Sequence, residues 1–181
     1  MPTSSPNQIP TVIEAAITIT PHTVLEVGIG CGKYGALLRE YLTVWDHYFE
    51  PWDSIPFIMD GIEVHGMYAS SPAWACYDNT TVGDARVIVP NIPAGCYDMG
   101  LMVDVLEHFD HEEGLVLVSA MLDACKTLLI AVPTHVGATV EVWGNPHEIH
   151  KADWTQDFLR EHGYTVKVYH DEDYRVMAVS R

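Results

Sequence analysis

Between residues 23 and 45 an apolar run, three alternate glycines and a long amphipathic stripe follow one another without a break. Thr23–Val27 reads as a short strand that stops at a glycine. Gly28, Gly30 and Gly32 come next. Tyr34, Leu37, Leu38, Tyr41, Leu42 and Trp45 then recur at i, i+3, i+4 and i+7 spacing, which predicts a helix. Strand, glycine loop and helix in that order let bare backbone approach a ligand at a helix N-terminus.

Three ligands could use such a loop. A P-loop is excluded: it needs glycine where Val27 stands and Ser or Thr where Tyr34 stands. Gly30-x-Gly32-x-x-Gly35 fits a dinucleotide fingerprint. That fingerprint expects an acid roughly 20 residues on; Glu63 lies much further along. It also leaves Glu26 unexplained, because a carboxylate beside a pyrophosphate repels it. A ligand with an ammonium group and no phosphate would instead want that carboxylate.

The chain is 181 residues long, which suits one domain, 1–181, with residues 1–19 as an N-terminal arm and helix. Nearly half the residues are apolar (48%), so the chain should fold. No apolar run approaches the ~18–20 residues that span a bilayer, and Met1–Pro10 shows no signal-peptide pattern. A net charge of -16 with scattered basic residues disfavours nucleic acid and anionic membranes. The expected partner is a small molecule that is not a polyanion. Cys31, Cys76, Cys96 and Cys125 form no CxxC pair and read as reduced thiols in a cytoplasmic protein, monomer or homodimer.

Short apolar runs alternate with helical periodicity, which predicts a βαβ architecture. A first helix is expected over about 7–19. Strands are expected at Pro56–Val64, Thr81–Asp84, Asp98–Asp104 and Thr127–Pro133, the last buried on both faces. Helices are expected at His111–Lys126 and at Asp153–His162, with Asp153 as N-cap. Tyr164–His170 and Tyr174–Ser180 predict an antiparallel hairpin. Residues 46–57 read as an aromatic loop. Trp45, Tyr48, Phe49, Trp52 and Trp143 could form an apolar lid, or equally cover a sheet edge or a dimer face.

Four segments then resemble, in order, the class I S-adenosylmethionine-dependent methyltransferases, of the methyltransferase type 11/12-like kind with a VLEH run. Val24–Gly32 resembles the motif that holds the methionine part of the cofactor. Gly61-Ile62-Glu63-Val64 resembles the acid that binds the ribose hydroxyls. Gly83-Asp84-Ala85 resembles the acidic turn facing the adenine amino group. Tyr97–Phe109, with Val105-Leu106-Glu107-His108, resembles the fourth strand and its exit loop. The resemblance implies a Rossmann-like α/β fold: a seven-stranded, mainly parallel sheet with an antiparallel last strand and helices on both faces. It implies a methyltransferase that acts on a small-molecule acceptor, at a hydroxyl oxygen. Glu26, Gly28, Gly30, Gly32, Glu63, Val64, Asp84, Ala85 and Asp104 are the expected cofactor-binding residues.

A hydroxyl acceptor must lose a proton. Glu107 and His108 sit at the mouth of the fourth strand, His135 follows the fifth, and Asn145–His150 adds His147, Glu148 and His150. His108, His147 and His150 are the candidate catalytic residues. Asp104-x-x-Glu107-His108 also resembles a run in metal-dependent O-methyltransferases, and His150-Lys151-Ala152-Asp153-Trp154-Thr155 resembles a later segment of the RNA-modifying ones. On that resemblance Asp104, Glu107, His108 and His150 could hold a divalent metal, which would acidify an acceptor hydroxyl. Metal-free relatives carry similar runs, with the Glu and His shaping the pocket. A nicotinamide-dependent oxidoreductase and a non-catalytic cofactor-binding module remain the alternative classes.

Overall fold

The computed structural model describes residues 4–44, 56–135, 137, 140–141 and 144–181. Seven strands form one sheet: β1 (Thr23–Val27), β2 (Ile58–Glu63), β3 (Asn79–Val82), β4 (Tyr97–Val103), β5 (Cys125–Pro133), β6 (Thr165–Asp171) and β7 (Tyr174–Ser180). Their order is β3-β2-β1-β4-β5-β7-β6. The pairs among β1 to β5 are parallel, and β7 runs antiparallel to both its neighbours. The expected sheet is therefore present, antiparallel last strand included.

The helices are α1 (Ile9–Ile19), α2 (Lys33–Thr43), α3 (Ala85–Ile88), α4 (His111–Ala124) and α5 (Gln156–Glu161). Buried side chains divide into two clusters. Val12, Ile13, Ala16, Tyr34 and Leu38 from α1 and α2 pack on one face of the sheet, against Met59, Met99, Leu101 and Leu129. Leu117, Val118, Met121 and Leu122 of α4 pack on the other, against Met102, Leu128 and Ile130. Alternate residues of β4 and β5 thus feed opposite cores, as a sheet covered on both sides requires.

Several boundaries differ from expectation for local reasons. The first helix begins at Ile9, because Pro6–Gln8 makes a tighter 3-10 turn capped by the Ser5 hydroxyl. The third strand is Asn79–Val82, two residues earlier than expected, since Asp84 caps α3 by accepting from Arg86 N. The last helix does not start at Asp153. That carboxylate pairs with Arg175 Nη1 at 2.6 Å, and Thr155 supplies the cap to Phe158 N. The aromatic stretch at 45–55 and Trp143, offered as a lid, lie outside the described residues.

Trp154 is fully buried and determines how the 150–155 segment docks. Its ring lies where a side chain on Gly114 of α4 would be: a Cβ there would stand 2.1 Å from Cζ2. Gly114→Ala should therefore lower unfolding free energy by about 1–3 kcal/mol through overpacking. That loss should appear in urea denaturation despite the ~1 kcal/mol gain in helix propensity.

Candidate functional site

In an open parallel sheet the carboxyl ends of the strands share one edge, and loops leaving them enclose a crevice. Here that crevice holds about 1110 Å³ of space, its open mouth included. Its walls come from the β1–α2 loop, the ends of β2 and β4, the start of α3, and the 145–151 segment.

The chain leaves β1 through a turn with no room for side chains. At Gly28, φ is +81°, and a Cβ would stand 2.2 Å from Val105 Cγ2. Gly32 takes φ +87° as the residue before α2, and a Cβ there would meet the Ala73 backbone at 2.9 Å. Both positions demand glycine. Gly28 and Gly30 line the crevice, whereas Gly32 supports the loop from behind. The Lys33 ammonium is engaged by the N-terminal segment: it donates to the Ser4 carbonyl at 2.9 Å and to the Ser4 hydroxyl at 2.8 Å.

Glu26 is 1% exposed and borders the crevice. Burial pushes its carboxyl up to about 8, against a hydrogen bond from Tyr77 that lowers it. Glu63 is also buried, and both its oxygens accept backbone N–H groups at 2.8 Å, Gly30 N on Oε2 and His65 N on Oε1. It thus ties the glycine loop to the end of β2. Val64 and Ala85 line the crevice. So does Asp84, but Arg86 already engages both its oxygens at 2.6–3.1 Å, and that bonding holds the carboxyl below its ordinary value.

Asp104 ends β4 in the left-handed region, φ +51°, with its N–H bonded to Ala131 O. Such strain in a non-glycine residue is concentrated at functional turns. Its Oδ2 accepts from Gln8 Nε2 at 2.6 Å, so the 3-10 turn before α1 reaches the same site. Burial raises the Asp104 carboxyl to about 6, opposed by Gln8 and by Lys33.

Glu107 and His108 sit on a 3-10 turn, Leu106–His108, over which the 149–152 strand of chain is laid. Lys151 N donates to Glu107 O at 2.7 Å, and His108 Nδ1 donates to Ile149 O at 3.2 Å. This crossing brings His150 to its partners: the two imidazole centroids are 4.9 Å apart, and His150 Nε2 is 4.0 Å from Glu107 Oε1. Glu107 is 2% exposed, and among the described residues neither carboxylate oxygen has a hydrogen-bond partner. Burial, then the Asp104 charge, push its carboxyl well above the usual range. Burial lowers both His108 and His150, so both rings favour the neutral form.

Ligand atoms of Glu107, His108 and His150 lie within 4.8 Å of one another. Asp104 is not among them, and His147 stands apart, on the crevice wall near Asp84. His135 is exposed. The structure adds wall residues that no motif marks. Tyr68 donates to Glu148 Oε1 at 3.2 Å and accepts from Asn145 Nδ2 at 3.1 Å, closing the 66–70 turn against the 145–148 turn. Only Asn145 and Glu148 lay in a stretch already singled out by sequence.

By sequence the chain matches no family model and no curated protein. By structure it is similar to an O-methyltransferase family protein from Burkholderia thailandensis (16% identity, TM-score 0.67), covering 97% of this chain and 55% of that one. This chain thus spans about half of that protein. A SAM-dependent methyltransferase from Archaeoglobus fulgidus is similar at 15% identity and TM-score 0.65, covering 97% of this chain and 95% of its own. DhpI, solved with SAH, is similar at 13% identity and TM-score 0.70, covering 96% and 83%. The chain has the fold of the S-adenosylmethionine-dependent methyltransferases, as its motif order implied.

Because Glu63 anchors two backbone amides, Glu63→Gln should leave one of them facing an NH₂ group. Amide exchange at Gly30 or His65 should then speed up by roughly tenfold or more, the cost of one unsatisfied donor, readable by NMR on the ligand-free protein. Glu26 sets a second expectation. Its folded-state carboxyl is raised from 4.5 to about 8, so its stabilising proton is lost as pH rises through that window. Glu26→Gln should match wild-type stability near the bottom of the window and exceed it by a few kcal/mol, in order of magnitude, above the top. Denaturation at the two pH extremes checks the sign.

Proposed function

We propose that the chain binds S-adenosylmethionine in this crevice and transfers its methyl group to a small-molecule acceptor at a hydroxyl oxygen. The observation that carries this reading is Glu26: a buried carboxyl at the head of the glycine loop, facing the space a ligand would fill. An ammonium there would draw the proton off this raised carboxyl and be paired with the resulting carboxylate, whereas a pyrophosphate would find no positive partner and would oppose that ionisation. The cofactor, when bound, supplies an activated methyl group on a good leaving group.

The residues of the chain do the rest. Gly28 and Gly30 offer bare backbone to the amino-acid part of the cofactor. Glu63, Val64, Asp84 and Ala85 border the place for its nucleoside. Asp104 closes the floor between the two. Glu63 retains lone pairs for a ribose diol while it holds the loop. Asp84 can serve an adenine amino group only alongside Arg86.

Proton removal from the acceptor falls to His108. Its Nδ1–H is committed to Ile149 O, so the neutral ring keeps its lone pair on Nε2. His108 lines the crevice, and its lowered proton affinity keeps that lone pair available. His150 abuts His108, and His147 shapes the wall near Asp84.

A metal-assisted form of the reaction has its own support. The two Glu107 oxygens, which no described residue hydrogen-bonds, form with His108 and His150 the donor set a divalent cation would satisfy. A bound cation would favour loss of the acceptor proton. His150 fits less simply: Gly137 N donates to its Nδ1 at 3.1 Å, so the neutral ring carries its proton on Nε2. Ligation through Nε2 requires that proton to shift. The charge of -16 continues to favour a small acceptor over RNA or DNA.

The test is calorimetric titration with S-adenosylhomocysteine, with and without Mn²⁺ or Mg²⁺, and with NAD in parallel. Micromolar binding of S-adenosylhomocysteine and none of NAD is expected. NAD binding alone would replace this reading with a dehydrogenase. Glu26→Gln and Glu63→Ala should each weaken S-adenosylhomocysteine by about 1–3 kcal/mol, while His108→Ala should leave that affinity unchanged.

A further inference from the structure

Tyr77 lies between β2 and β3, outside every motif, and is 8% exposed. Its ring passes where Gly35 makes room, and it also borders Gly61, whose nearest neighbour is Ile29. A Cβ on Gly35 would stand 2.4 Å from ring Cε2, and one on Gly61 would stand 3.0 Å from Cδ1. The third glycine of the apparent fingerprint is therefore shaped to a tyrosine ring and not to a phosphate. The hydroxyl donates to Glu26 Oε2 at 2.6 Å and accepts from Gly35 N at 3.1 Å. No described residue hydrogen-bonds the other oxygen, Oε1. The remaining charged or titratable groups facing Glu26 are Glu63 from β2 and Lys33 and Tyr34 from α2. Of these, Lys33 is occupied by Ser4, and Tyr34 meets the Ser4 hydroxyl at 3.4 Å.

We infer that Tyr77 is the positioning residue of the cofactor site: by holding Oε2 of Glu26 it leaves Oε1 as the one oxygen that receives a ligand ammonium. This rests on the proposed reading of the crevice as a site for a ligand with a free ammonium group. The tyrosine does two things at once. It fixes the carboxyl against rotation, and it donates to the ionised form, which burial opposes. When an ammonium enters, Glu26 gives its proton to the solvent, and the resulting carboxylate is shared between the Tyr77 hydroxyl and the ammonium. Removing the hydroxyl removes a donor that only the charged form rewards, so the carboxyl should ionise at higher pH.

The experiment compares wild type with Tyr77→Phe in two measurements. The first is an NMR titration of ¹³C-labelled Glu side chains in the ligand-free proteins. The second is calorimetry with S-adenosylhomocysteine below and above the wild-type Glu26 midpoint, in buffers of different ionisation heat. Wild type should release a proton on binding below its midpoint. Tyr77→Phe should move the Glu26 midpoint upward. It should bind about tenfold more weakly below the wild-type midpoint, the loss of one charged hydrogen bond, with the deficit narrowing as pH rises. A merely structural tyrosine would weaken binding equally at every pH and leave the midpoint in place, and that result overturns the inference. Should wild type bind no S-adenosylhomocysteine, the functional reading fails, and the midpoint comparison still decides whether Tyr77 governs Glu26. Should the variant not fold, absence of proton release by wild type overturns the inference by itself.

Discussion

The cleft depends on one crossing, where backbone leaves β1 against neighbours that allow no side chain. Val105 stands over Gly28 and Ala73 over Gly32, each closer than a Cβ could tolerate. Gly28 N also bonds Ile62 O at 2.8 Å, so the loop stays pinned to β2 for one residue beyond the ladder. Glu63 then reaches back to Gly30 N. The result is a loop held by hydrogen bonds from one side and steric contact from the other. A ligand can meet it without first ordering it, which is the economy of a preorganised site.

A second crossing builds the opposite wall. The 149–152 segment lies across the Leu106–His108 turn through backbone bonds to Glu107 O, and Trp154 anchors it by filling the gap over Gly114. This places His150 beside Glu107 and His108 from 42 positions away for His108 (150 − 108). Three acids end up desolvated, Glu26 and Asp104 on the crevice and Glu107 next to His108, all raised mainly by burial. Such groups work against stability as pH rises, since the folded state favours their protonated form. Buried acids with shifted proton affinity, gathered in a cleft, mark a place organised for binding charge or moving protons.

The sheet was legible because buried strands read as continuous apolar runs and helices as periodic stripes. The ends of elements were less so. Asp153 looks like a helix cap but finds Arg175 across the fold at 2.6 Å, and Thr155 caps in its place. The glycine motif reads as an opening for a ligand. Part of it instead answers to what already lies inside: Gly35 clears the path of the Tyr77 ring. Nothing local distinguishes Tyr77 from the other tyrosines, because its partner Glu26 is 51 residues distant.

Sequence alone determined the parallel α/β order, the glycine loop at the exit of β1, and the residue types that could meet a cofactor. Those features are local: a period of two or 3.6, a missing Cβ, an acid beside a turn. Tertiary structure decided which acids are buried, which oxygens are already bonded, and which histidines meet. It separated His147 from His108 and His150, bound Asp84 to Arg86, and left both Glu107 oxygens without a hydrogen bond from any described residue. Proton affinity and hydrogen-bond occupancy are set by what surrounds a group in space, and here those surroundings come from segments far apart in the chain.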